Sequence, residues 1–124
     1  MTRTRATAKQ AGSRFERSVA DWLSEVLDDD RVDRKVKTGA KDRGDIAGVR
    51  VHGQRVVLEC KDVALLNLSG WVNQAHVEAG NDDALVGVVV HKRRGKADPG
   101  DQYVTCTLRD LVALITGSRP DDDQ

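Results

Sequence analysis

Aromatic side chains are scarce in this 124-residue chain: two Trp, one Tyr and one Phe, or 3% of the residues. Its core must therefore be assembled mainly from Val, Leu, Ala and Ile, and the length suits one domain rather than two. Cysteine is nearly absent too. Cys60 and Cys106 supply neither a disulfide framework nor the CxxC spacing of a zinc site, which points to a reducing, cytoplasmic setting. Long apolar runs are also missing. None approaches the roughly 20 residues that span a bilayer, so no membrane partner is expected. The N-terminus has no apolar stretch of the secretory kind, although its Arg, Thr and Ala content faintly imitates a transit peptide.

Excess charge of one sign is the last absence, with 20 basic and 20 acidic residues. That balance argues against a nucleic-acid partner, but the distribution argues for one. Arg3, Arg5, Lys9, Arg14 and Arg17 crowd the N-terminal segment. Arg34, Lys35, Lys37, Lys41 and Arg43 precede Asp45, and Lys92, Arg93, Arg94 and Lys96 fill a later loop. The acids gather in Asp28–Asp30 and in the tail Asp121–Asp123. Salt screens charges beyond about 8 Å, so local patches govern phosphate attraction. Three ordinary solvated loops would give the same pattern.

The elements follow from periodicity. Residues 1–10 are polar and are expected to be a mobile basic extension, ahead of a single domain over 11–118 and an acidic tail over 119–124. Phe15, Val19, Trp22 and Val26 recur at helical spacing, predicting a helix from Ser13 to about Leu27. Ser13 with Glu16 three residues on fits a capping box. A short strand is expected around 31–37, and then a hairpin of 45–50 with 54–61. Ser69 could cap a helix through about Ala79. The apolar run 84–91 suits a central strand covered on both faces. A strand at 103–107 leads to a final helix opened by Thr107 with Asp110 and ending near Gly117. The fold class is α/β, a central mixed sheet of about five strands flanked by helices.

The hairpin brings chemistry-bearing residues together. A three-residue turn, Val51-His52-Gly53, pairs Arg50 with Gln54, so pairing partners sum to 104. Asp45 then lies opposite Glu59, and strand alternation puts Lys61 on Glu59's face, with Leu58 and Cys60 on the other. A two-residue turn would send the two acids to opposite faces. Paired carboxylates repel, and a divalent cation turns that repulsion into a binding site; hard oxygen ligands suit Mg²⁺ or Mn²⁺. A metal there could polarise a phosphodiester, with Lys61 orienting water or stabilising developing charge. A solvated Glu/Lys strand face is the plainer reading of the same spacing.

Gly44-Asp45, followed fourteen residues after the aspartate by Glu59-Cys60-Lys61, resembles the PD-(D/E)xK nuclease motif, with Gly in place of the frequent Pro. Together with Gly12–Arg17, the basic 34–43 loop, Asp45-Ile46 and Leu58–Lys61, it resembles archaeal-type Holliday junction resolvases and related phage enzymes over roughly residues 12–115. The resemblance implies a restriction-endonuclease-like fold, a cytoplasmic bacterial, archaeal or phage-infected setting, and a homodimer that nicks branched DNA in a Mg²⁺-dependent reaction, with Mn²⁺ able to substitute. It also implies that Asp45, Glu59 and the backbone carbonyl of Cys60 ligate metal and that Lys61 is the catalytic lysine. Glu16 would complete the acidic site, directly or through water; its other role is the capping box, worth around 1 kcal/mol.

The same resemblance makes the loop before Asp45 a clamp for the scissile strand, through Lys37, Thr38 and Lys41. Arg14, Arg34, Lys35 and Arg43 would position backbone phosphates without reading bases. Gln74 is either a supporting polar residue of the site or a surface residue. Other chemistries fit poorly. His52, His76 and His91 are too scattered for an HNH or zinc site, and His76-Val77-Glu78 lacks the Pro-Cys-x-x-Cys that a deaminase needs. No glycine-rich phosphate loop is present. The expected function is a structure-specific DNA endonuclease, with another nuclease of the superfamily or a non-cleaving DNA-binding module as alternatives.

Overall fold

Alternation along one long strand decides how the layers form. In β4 (Gln54–Lys61), Val56, Leu58 and Cys60 join the main core, while Val57, Glu59 and Lys61 take the opposite face. The computed structural model, which describes residues 3–37 and 41–121, places helices on both sides of that strand. Helix α1 (Arg5–Val26) contributes Phe15, Val19 and Ala20 to the main core. Helix α3 (Leu108–Thr116) adds Ala113. Helix α2 (Leu68–Asn81) packs Trp71 and Ala75 against Val89 on the other face. Full burial of a side chain such as Phe15 stabilises by about 1.5–3 kcal/mol.

The remaining strands are β1 (Asp33–Arg34), β2 (Ile46–Ala47), β3 (Arg50–Val51), β5 (Val86–His91) and β6 (Tyr103–Thr105). Together with β4 they form one sheet in the order β1-β2-β4-β5-β6, with β3 paired to β4 off that path. The β4–β5 pair is parallel and the others are antiparallel, so the sheet is mixed as expected. All six residues of β5 are buried, which is the doubly covered central strand that its apolar run predicts. Gly87 on β5 makes the close approach of α2 possible: a Cβ there would lie 2.1 Å from the Ala75 carbonyl oxygen. Among the described residues, no helix is long and apolar enough to cross a membrane.

Several boundaries differ from expectation. Helix α1 starts at Arg5, capped by Thr4, whose hydroxyl accepts from the Thr7 N–H. Residues 5–10 are therefore helical rather than a separate mobile extension, and Ser13 lies inside the helix, so the Ser13/Glu16 capping box does not form. Helical propensity in the Arg-Ala-Thr-Ala-Lys-Gln run carries the helix past the point where its apolar face ends. Asn67, not Ser69, caps α2 through its bond from the Gly70 N–H. Arg119, placed in the expected tail, also joins the domain, because it donates to the Leu85 carbonyl and to Asp110. The capping box of Thr107 with Asp110 and the left-handed Gly117 at the end of α3 are as expected.

The hairpin reaches its expected register by an unexpected route. Val51 pairs with Gln54 and Arg50 with Arg55, so the turn has two residues, His52 and Gly53, both at positive φ. Those pairs sum to 105. Further along, Ile46 pairs with Leu58, and the sum returns to 104. Between them the Val56 N–H still bonds to the Val49 carbonyl, leaving Ala47 and Gly48 to face Val57 alone. That extra residue is a β-bulge, built on Gly48 at φ +90°. The bulge cancels the shift introduced by the shorter turn.

Candidate functional site

At the polar end of β4 the sequence places two charges on the face covered by α2. Glu59 is buried, and its Oε1 lies 3.5 Å from the Lys61 ammonium. The Gln74 side-chain amide donates to the same oxygen at 3.3 Å. The other oxygen, Oε2, is buried without a hydrogen-bond partner. Burial first, and then the neighbouring charges of Asp45 and Asp42, push the Glu59 carboxyl up to about 7.

Asp45 precedes β2 and is pinned on all sides. Its N–H donates to the Leu58 carbonyl and its own carbonyl accepts from the Lys35 N–H. Its Oδ2 accepts from the Cys60 N–H at 2.8 Å, and Lys37 donates to Oδ1 at 3.2 Å. Asp45 therefore flanks the Glu59–Lys61 segment rather than pairing squarely with Glu59. Gly44 before it takes φ +95°, which a proline, held near −65°, cannot adopt. The backbone entering the site thus differs from one carrying the usual Pro of the motif. The Cys60 side chain belongs to the opposite core, so only its main chain faces Asp45.

Glu16 approaches from α1. It is half-buried, lies 3.7 Å from Arg34, and has its carboxyl raised by burial and then by Asp45. Asp45 thus acts on two acids, Glu16 on one side and Glu59 on the other. The expected basic residues divide. Lys37 and Arg34 face the acids, whereas Lys35 is tied to Asp82 at 3.3 Å and to the Arg43 carbonyl at 2.9 Å. Lys35 and Arg43 line a separate cleft of about 320 Å³ with Arg55 and Asp82. Arg14 and Lys41 are exposed. Thr38 lies outside the described residues.

Two acids that the sequence reading did not single out complete the picture. Glu78 on α2 is 1% exposed, and Gln74 donates to its Oε2 at 3.3 Å while its Oε1 has no partner. Burial, and then Glu59 and Asp42, push the Glu78 carboxyl up to about 10. Gln74 therefore bridges two buried acids. Asp42 is exposed, its carbonyl accepting from Asn81 at 2.8 Å and its Oδ1 from the Gly44 N–H at 2.9 Å. Among the described residues, Asp42, Glu59 and Glu78 are the acids that bring three ligand atoms within 4.8 Å of one another; Asp45 and Glu16 stand outside that group. The signal for Glu78 was present: it falls in phase with Trp71, Ala75 and Ala79 on the buried stripe of α2. A charge in that stripe needs a partner or a function.

Comparison of the chain with protein-family models, with curated proteins and with solved structures finds no match.

Proposed function

We propose that this protein is a divalent-metal-dependent DNA endonuclease of the PD-(D/E)xK kind, with a restriction-endonuclease-like fold. The observation that carries the proposal is the meeting of the motif's residues at one end of the sheet. Asp45 binds the main chain of Cys60 between Glu59 and Lys61, and Lys61 lies 3.5 Å from Glu59. By the resemblance, Asp45, Glu59 and the Cys60 carbonyl would supply the oxygen donors for a hard cation, with Glu16 alongside. The unpartnered Glu59 Oε2 is a buried acceptor free for such a ligand. When bound, Mg²⁺ or Mn²⁺ supplies a Lewis acid for a phosphodiester and lowers the pKa of an attacking water.

The chain's own side chains do the rest. Lys61 brings a half-buried ammonium to where charge develops on the phosphate. Lys37 and Arg34, next to the acids, hold the incoming backbone, and exposed Arg14 and Lys41 extend that contact. The choice of a four-way junction, and of a homodimer that nicks it in two places, rests on the resemblance of the motifs to junction resolvases.

Incubation of the protein with a synthetic four-way junction and a matched duplex in Mg²⁺ tests the reading. Paired nicks in the junction alone are expected. Equal cleavage of both would remove the resolvase assignment and leave a nuclease acting on flaps, ends or specific sequences. Binding without cleavage would point to a DNA-binding module. Asp45→Asn should abolish cutting and keep junction binding; retained cutting would take Asp45 out of the metal site.

A further inference from the structure

Glu78 has no part in the cleavage chemistry just described, yet it is among the most deeply buried side chains of the protein. It lies on the same face of β4 as Glu59, delivered by α2, and among the described residues neither it nor Asp42 has an ion-pair partner. A buried carboxylate without a cation is costly, and here three carboxylates converge. We propose that Asp42, Glu59 and Glu78 form a hard divalent-cation site on the α2 side of Glu59, which shares that carboxylate with the Asp45 side.

Two independent observations point into this site. The first is geometric: one oxygen from each acid lies within 4.8 Å of the other two. Metal–oxygen distances of about 2.0–2.6 Å let one cation reach ligands spaced in this way. The second is an unmet demand for a partner. Glu59 Oε2 and Glu78 Oε1 are both buried and unbonded, while the remaining oxygen of each is occupied by Gln74. A proton shared between the two glutamates would satisfy those oxygens in the metal-free protein, and a bound cation would displace it.

Asp42 is held there deliberately by the same helix. Gln74, Glu78 and Asn81 are spaced four and three residues apart, so they share one face of α2. Gln74 sets the two glutamates, and Asn81 fixes the Asp42 main chain. One helix thus assembles all three ligands, and Gly87 lets it sit close enough to do so. Because Asp42 is exposed, the cation would be open to water or to an oxyanion on that side.

The site stands whether or not the protein cleaves DNA, and its test reads metal binding alone. Mn²⁺ is titrated into the full chain, with free Mn²⁺ followed by electron paramagnetic resonance and stoichiometry by calorimetry. Glu78→Gln and Asp42→Asn should each weaken Mn²⁺ binding at this site tenfold or more, while Asp45→Asn leaves it in place. Asp42 is exposed, so its variant keeps the test valid even if Glu78→Gln folds poorly. Wild-type Mn²⁺ affinity in both variants would overturn the proposal. So would binding that Asp45→Asn alone abolishes, or no binding by the wild-type chain. Absence of DNA cleavage by a wild-type chain that binds Mn²⁺ would count against the nuclease reading and not against this site.

Discussion

Replacing Glu78 by Gln should make the metal-free protein more stable at neutral pH, contrary to the usual effect of altering a buried side chain. The reason is linkage. Glu78 titrates near its ordinary value of 4.5 when unfolded but only at about 10 when folded. A carboxyl whose folded value is raised favours folding fully below the unfolded value, and this advantage is lost as pH rises toward the folded one. Between those limits the folded state holds one more proton, so stability falls by about 1.4 kcal/mol per pH unit. From pH 4.5 to 7 the loss is about 3 kcal/mol, and Glu59, raised to about 7, adds to it over the same range. A glutamine has the shape of the protonated acid and no charge to lose in either state. Glu78→Gln should therefore match the wild type near pH 4.5 and exceed it by about 3 kcal/mol at pH 7. Urea unfolding in a chelator at both pH values measures the difference. A variant less stable than wild type at pH 7, or an offset that does not change with pH, would refute the reasoning.

Three further outcomes follow from the packing. Gly87→Ala should destabilise by about 3 kcal/mol or more, because its Cβ would meet the Ala75 carbonyl at 2.1 Å and push α2 from the sheet; a melting temperature within a degree or two of wild type would contradict this. Gly48→Ala should cost about 2–4 kcal/mol, since φ is +90° and the new Cβ would lie 2.4 Å from the Arg31 carbonyl oxygen. Urea titration reads that loss, and a neutral result would mean that the bulge tolerates a side chain. Asp110→Asn should cost about 2–3 kcal/mol near neutral pH by weakening the bonds from His76 at 2.7 Å and Arg119 at 3.1 Å. Burial opposes the charge on Asp110, but those bonds and the Thr107 cap outweigh it and hold the carboxyl below 3.8. Its contribution is present above the unfolded value and lost as pH falls through the lower folded one, so denaturation curves of variant and wild type should converge in acid.

Where local rules suffice, the sequence by itself determined the outcome. Strand alternation puts Glu59 and Lys61 on one face of β4, and the two side chains meet there. The apolar run at 86–91 is a buried strand, and Thr107, Asp110 and Gly117 begin and end the last helix as their side chains dictate. The start of α1 was harder to read, because residues 5–10 show no apolar stripe while still favouring helix. Register was harder still. Residues 51–53 permit either turn length, and the choice depends on a bulge that forms where Gly48 meets the backbone of Arg31 on the neighbouring segment. Asp45 reaches the Glu59–Lys61 segment only because that bulge offsets the shorter turn. Glu78 lies nineteen positions beyond Glu59, and nothing local connects them. Their meeting requires β4 and β5 to lie side by side in parallel, with α2 seated over the gap left by Gly87. Periodicity could mark Glu78 as a charge on a buried stripe, but only the tertiary packing decided which acids it would face.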